Sequence, residues 1–321
     1  MSKILDKKLA NIRAGKYKPA DFIIADAKDG DIGFGRAAPG ADASGKMKSR
    51  ETHLQAIRDM TNSGLVDVML MSASTAERLS EEGLFKKSKV TPAIRLNDTT
   101  DIWSARGGRP GGSDTVVEQA KKYADLGLYS VTYSNERDID AENSEAYRAF
   151  CADANQNGMR HFLEVFNPAF DINLANKADI GSFINDNIVR TLAGVMSEDF
   201  PAFLKLQYNG PRAMEELSSY DPASLIVGIL GGAAGTTRDT FELLSQSEKY
   251  GARVALFGRK IHFAESPIDI VTLMREIVAR TVTPAEAVKA YHGALQKKGI
   301  KPARSLADDS QLTETPLKLA A

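Results

Sequence analysis

The segment Phe203-Leu204-Lys205-Leu206-Gln207 sets a single lysine inside an apolar run. Ser197-Glu198-Asp199-Phe200-Pro201 precedes it and Asn209-Gly210-Pro211 follows. Proline and glycine punctuate both sides, so the run reads as a short buried strand. Lysine is rarely buried without a partner or a task. Dehydration disfavours its ammonium form, and a neutral amine can attack a carbonyl to form a Schiff base. One reading of Lys205 is therefore a lysine at a strand's mouth, paired to a carboxylate. The other is a nucleophile.

Working outward, seven more apolar runs have strand character: Phe22–Ala25, Val66–Met71, Thr91–Leu96, Tyr129–Tyr133, His161–Phe166, Leu225–Leu230 and Arg253–Phe257. Helical stripes lie between them. They cover Lys3 to Ala14, about Arg50 to Ser63, a stretch from near Ser74, roughly Asp114 to Leu126, about Ser144 to Gln156, Phe183 to Met196, Thr237 to Tyr250 and Ile268 to Ala279. A last helix opens at Thr283-Pro284, with proline just inside its start. Eight strands alternating with helices predict a single (β/α)8 barrel of the TIM type over residues 1–321. It carries an extra N-terminal helix, a C-terminal helix and a peripheral tail from 302 to 321. A doubly wound open sheet is the alternative, but no Gly-x-Gly-x-x-Gly follows the first strand. The polar stretch from Lys28 to Ser49 is long for a barrel loop and reads as a lid. Arg106 to Gly112 reads as a mobile loop, since it lacks the Gly-Lys-Ser/Thr ending of a phosphate-binding loop.

The chain has 321 residues, 43% hydrophobic and 26% charged, with formal net charge -1. That balance gives no support for a nucleic-acid partner. No stretch approaches the roughly 20 apolar residues of a membrane span, and the lysine-bearing N-terminus lacks an apolar signal core. The single cysteine, Cys151, fits a reducing cytoplasm. Four histidines, none at metal-ligand spacing, argue against a structural zinc site.

Barrel chemistry lies at the C-terminal ends of the strands. Besides Lys205, that rule selects Glu164 inside the fifth apolar run, Asp26 ending the first, Arg95 ending the third and Tyr133 ending the fourth. Each of these can also be a structural ion pair or a hydrogen-bonded cap. Gly231-Gly232 and Gly258-Arg259 fall after strands seven and eight, where barrels commonly build a phosphate site. Their backbone amides can approach phosphate oxygens, and Arg259 can add a charged contact.

The series Phe162-Leu163-Glu164, Phe203-Leu204-Lys205, Gly231-Gly232 and Phe257-Gly258-Arg259 resembles the class I aldolases. The group in question contains tagatose bisphosphate aldolase and archaeal-type fructose bisphosphate aldolase. The resemblance runs through most of the chain in order. It implies a Schiff-base lysine at Lys205, a carboxylate at Glu164, an aspartate at Asp26 and phosphate binding at Gly231, Gly232, Gly258 and Arg259. Tyr133 joins Glu164 and Asp26 as a candidate acid or base. The implied substrate is a phosphorylated ketose. No cofactor and no metal is called for, because an iminium serves as the electron sink. Two departures stand out. The segment Ser130-Val131-Thr132-Tyr133 lacks the second lysine of tagatose-type enzymes, and the first strand continues as Asp26-Ala27-Lys28-Asp29-Gly30. Lys28 shares the parity of Asp26 and is a candidate for the missing cation. The competing readings are a related Schiff-base lyase or transaldolase-like synthase, and a non-catalytic barrel that binds a sugar phosphate. Any of them admits a homo-oligomer.

Overall fold

The structure, a computed structural model, describes residues 3–42, 44–98, 108–109, 115–174 and 180–319. Eight parallel strands close into a barrel in sequence order: β1 (Ile23–Lys28), β2 (Val68–Met71), β3 (Thr91–Arg95), β4 (Leu126–Thr132), β5 (Arg160–Phe166), β6 (Leu204–Leu206), β7 (Gly228–Leu230) and β8 (Val254–Phe257). The helices among the described residues are α1 (Ile4–Arg13), α2 (Gly30–Phe34), α3 (Arg50–Ser63), α4 (Ala73–Glu81), α5 (Val117–Ala120), α6 (Arg137–Gln156), α7 (Ile180–Leu192), α8 (Pro211–Tyr220), α9 (Thr237–Lys249), α10 (Arg259–His262), α11 (Pro267–Val278), α12 (Pro284–Lys297), α13 (Leu306–Asp309) and α14 (Thr315–Lys318).

Strand alternation sorts the apolar side chains into two concentric cores. Ile23, Ala25, Val68, Leu70, Ala93, Leu126, Leu128, Phe162, Phe203, Val254 and Leu256 fill the barrel interior. Phe162 and Phe203 stack there, with ring centroids 4.6 Å apart. Leu5, Leu9 and Ile12 of α1 belong to the same inner core, so the N-terminal helix plugs the bottom of the barrel. Alternate residues, such as Met69, Ile94, Tyr129, Leu163 and Leu204, face outward and pack under the helices. With the bottom closed, the open end is the one carrying the strands' C-termini.

Some boundaries differ from the sequence reading. β1 runs to Lys28, because its ladder with β2 continues to a Lys28–Met71 pair beyond the apolar run. β4 begins at Leu126, pairing with Arg160, which leaves only Val117–Ala120 of the helix expected over 114–126. The lysine strand ends at Leu206, and Pro211 opens α8 as its first residue. The stretch from Lys28 to Ser49 contains α2, a 3-10 turn at Gly35–Ala37 and an Ala41–Met47 bridge. Of the 106–112 loop, only Gly108 and Arg109 lie within the described residues; Arg109 pairs with Glu142 at 2.6 Å. Within the described part of the tail, Asp309 and Leu317 are buried.

Gly228 marks a close approach between barrel strands. A Cβ there would collide with the Leu204 carbonyl oxygen and lie 2.8 Å from Val254 Cβ. Gly228→Ala is expected to cost about 1–3 kcal/mol by overpacking. Gly293, inside α12 with no atom within 4 Å of a built Cβ, is the control. Gly293→Ala is expected to gain up to about 1 kcal/mol from helix propensity. Urea denaturation of the two variants checks both signs.

Candidate active site

The β5–β6 register places Glu164 directly opposite Lys205. Both side chains share the inward parity of Phe162 and Phe203 and are buried at the open end of the barrel. The Lys205 ammonium and Glu164 Oε1 form an ion pair. The other Glu164 oxygen, Oε2, accepts from Arg95 Nη2 at 2.7 Å and from Ser130 Oγ at 2.8 Å. Arg95 Nε donates to Asp29 Oδ2 at 2.5 Å, and Nη1 donates to Ser130 Oγ at 2.6 Å and to the Asp98 carbonyl at 3.2 Å. Asn97 fixes the β4 side of this network. It donates to the Ser130 carbonyl at 2.8 Å and accepts from the Ser130 amide at 2.7 Å.

Two carboxylates and two cations thus balance in a dry site. Burial pushes the Glu164 carboxyl up, but Lys205 and then Arg95 outweigh it and hold the group below its ordinary range. Burial likewise opposes ionisation of Asp29, and Arg95 with Lys205 reverses that too. Arg95, flanked by Asp29 and Glu164, is held above its ordinary value despite its own burial. Both carboxylates are therefore ionised at neutral pH, and Glu164 Oε1 faces the Lys205 ammonium.

A cavity of about 150 Å³ opens onto this network. Lys28, Asp29, Arg95, Glu164 and Lys205 line one side, and Gly231, Gly232, Gly258 and Arg259 another. Phe34, Phe166 and Phe263 supply apolar wall. Gly232 has φ +65°, in the left-handed region that glycine tolerates. Arg259 is exposed, with its guanidinium 5.7 Å from the centre of the Phe34 ring. It forms no ion pair among the described residues, whereas Arg95, Lys28 and Lys205 are each paired.

Two expected site residues fall elsewhere. Asp26 has the outward parity of Phe22 and Ile24. It is fully buried and pairs with Lys28 at 3.0 Å. Burial raises its pKa, with Lys28 opposing. Asp29, three residues on, has the inward parity of Ala25 and Ala27 and stands in the cavity instead. Tyr133 also faces outward, because Leu126 and Leu128 take the inward positions of β4. Its hydroxyl is 2.8 Å from Thr191 Oγ1 on α7, and it does not line the cavity. Arg95 lies in the site, but its guanidinium is committed to protein partners. Two histidines that sequence reading did not select, His53 and His262, line the cavity with ring centroids 5.7 Å apart. His53 Nε2 lies 3.0 Å from the Lys28 carbonyl, which can only accept, so this nitrogen carries the proton. No group of three or more metal-ligating side chains occurs among the described residues, and no helix there is long and apolar enough to cross a membrane.

No protein-family model and no curated protein matches the sequence. Solved structures do match in fold. A Schiff-base-forming fructose-1,6-bisphosphate aldolase superposes with a TM-score of 0.59 at 19% identity, covering 85% of this chain and 99% of the other. An archaeal fructose-1,6-bisphosphate aldolase, solved with its catalytic lysine covalently bound to a carbinolamine intermediate, gives 0.61 at 17%, covering 86% and 99%. The fructose-bisphosphate aldolase of Slackia heliotrinireducens DSM 20476 gives 0.63 at 13%, covering 90% and 91%. At these identities the likeness is one of fold, that of a (β/α)8 barrel.

His262 gives a pH prediction. Burial, then Lys28 and His53, push its imidazole down to about 4. The unfolded chain would bind a proton near pH 6.5. The neutral folded form is therefore fully favoured above about 6.5, and stability drains away as pH falls from there toward about 4. Ring nitrogen-15 titration should find the His262 midpoint near 4. His262→Gln should flatten the stability profile across that window, leaving the share of His161, which burial also lowers to about 4.

Proposed function

We propose that this protein is a lyase of the class I aldolase type, which makes or breaks a carbon–carbon bond of a phosphorylated ketose through a Schiff base on Lys205. The observation that carries the reading is one cavity lined by Lys205, its ion-pair partner Glu164 and the glycine turns after β7 and β8. The fold shared with Schiff-base aldolases supports it.

The chemistry follows from the contacts. Glu164 Oε1 takes a proton from the Lys205 ammonium, and the freed amine nitrogen attacks the ketose carbonyl carbon. The carbinolamine loses water to give an iminium. A carboxylate then removes the proton of the hydroxyl on the far carbon of the bond to be broken, β to the iminium carbon. The electrons of that bond move toward the iminium nitrogen, an aldehyde departs, and an enamine remains. Reprotonation at carbon and hydrolysis return Lys205. Glu164 and Asp29 are the carboxylates present in the cavity; Asp29 takes the place that the sequence reading gave to Asp26. Ser130 stands opposite Glu164 on β4 and donates to it. Arg95, with four of its five donors occupied, orients both carboxylates. The amides near Gly231, Gly232 and Gly258, with Arg259, which has no ion-pair partner among the described residues, are proposed to hold the phosphate and so position the carbonyl at Lys205. A lone buried thiol, Cys151, is compatible with a cytoplasmic enzyme.

Borohydride with dihydroxyacetone phosphate should reduce an adduct irreversibly onto Lys205, mapped by peptide mass spectrometry. Lys205→Ala should lose both adduct and cleavage. An adduct on Lys28 instead would sink the assignment. Glu164→Gln should leave trapping detectable and slow turnover by at least roughly tenfold, the low edge of general acid–base effects. Arg259→Ala should weaken binding of a phosphorylated ketose by about 1.5–3 kcal/mol, relative to its unphosphorylated analogue. An unchanged ratio between the two substrates would remove Arg259 from the phosphate site.

A further inference from the structure

The tail meets the barrel at the two loops just assigned to phosphate. Lys260 follows Arg259 in α10, and its side chain is completely buried. Its ammonium donates to Glu314 Oε1 at 2.6 Å and approaches the Ala234 carbonyl of the β7 loop at 3.4 Å. One lysine thus joins the β8 loop, the β7 loop and the tail. Asp239, fully buried in the first turn of α9, makes a second junction. Its carboxylate accepts from the Thr236 amide at 3.0 Å, the Thr313 amide at 2.7 Å, the Thr313 hydroxyl at 2.5 Å and the Glu314 amide at 3.3 Å. Gly235 lies between the junctions with φ +60°; a Cβ there would sit 2.9 Å from Asp239 Oδ2 and 3.0 Å from Glu314 Oε1. Farther out, Asp309 accepts from the Thr237 amide at 2.8 Å, and Gln246 donates to the Leu317 carbonyl at 2.9 Å. Asp239 and Asp309 thereby occupy amides at the start of α9.

We propose that the tail around Thr313 and Glu314 clamps the β7 and β8 loops, with Lys260 and Glu314 as positioning residues for a phosphate held between those loops. The clamp rests on the reading of these loops as the phosphate site. The ion pair spans both loops, and neither residue lines the cavity of the candidate active site. A substrate phosphate therefore never touches it, and its effect is to keep the glycine amides and Arg259 at a fixed separation. Without it the loops would spend part of their time apart, and binding would have to restore the closed arrangement.

The test uses the full chain with Glu314→Gln, Lys260→Met and Lys260→Arg. Amide hydrogen exchange should rise by about tenfold across 231–236 and 258–263 in Glu314→Gln and Lys260→Met, since loop opening is a local equilibrium. Lys260→Arg, which keeps the charge, should restore most of the protection. The KM for dihydroxyacetone phosphate should rise about fivefold with kcat within about twofold of wild type, as loss of ground-state binding requires. A rise in exchange confined to 309–319, an arginine variant that behaves like methionine, or a fall in kcat at constant KM overturns the clamp. If wild-type protein gives no borohydride adduct at Lys205, the proposed reaction fails, and the exchange measurement still decides whether the tail holds the loops.

Discussion

Arg95 is the tie on which the mouth of the barrel depends. Its planar guanidinium reaches Asp29 just after β1, Ser130 on β4 and Glu164 on β5, and Glu164 in turn meets Lys205 on β6. Four strands, β3 to β6, and the turn after β1 are joined through one buried charge network. Two unit charges 4 Å apart interact by about 4 kcal/mol at an effective dielectric constant near 20. Removing one partner of such a pair typically costs about 3–5 kcal/mol, because the remaining charge has no water to turn to. A lysine at position 95 could not reproduce this set, since a rigid fork is needed to serve several acceptors at fixed angles.

That network is sustainable because the rest of the barrel supplies dry walls. The inner core below it contains stacked Phe162 and Phe203, and α1 closes the far end with Leu5, Leu9 and Ile12. Solvent and ligand therefore approach from the side where the strands end. On that side the glycine turns after β7 and β8 face the charged network across a single cavity. The β8 loop is in turn supported from behind by Lys260 and Glu314, so the two walls of the site are held by different buried charges.

The alternation of apolar runs was enough to read eight strands, because a parallel strand buried on both faces must be nearly continuous in apolar residues. Lys205 and Glu164 were legible for the same reason: each interrupts such a run. Asp26 and Tyr133 show where that logic stops. Both end apolar runs, yet β1 continues past Asp26 to Lys28, and the inward set of β4 is counted from Leu126. Shifting by one residue turns a side chain from cavity to helix layer. Asp29 lay outside the apolar run and one residue past β1, whose ladder with β2 ends at Lys28, so only the turn into α2 brings it to the cavity. Arg95 was visible as a charged strand end, but its saturation by protein partners depends on residues 35 to 69 positions away in sequence.

The sequence by itself determined the class of fold, the order of its elements and the depth at which Lys205 and Glu164 sit, because these follow from local periodicity and from the penalty on burying charge. Tertiary structure alone decided which aspartate in or just after β1 enters the cavity, which cation neutralises which carboxylate, and where Leu317 of the tail is buried. The physical reason is that parity is set by ladder register, ion pairing by distance across strands, and docking by complementary groups far apart in the chain. None of these is a property of any single segment.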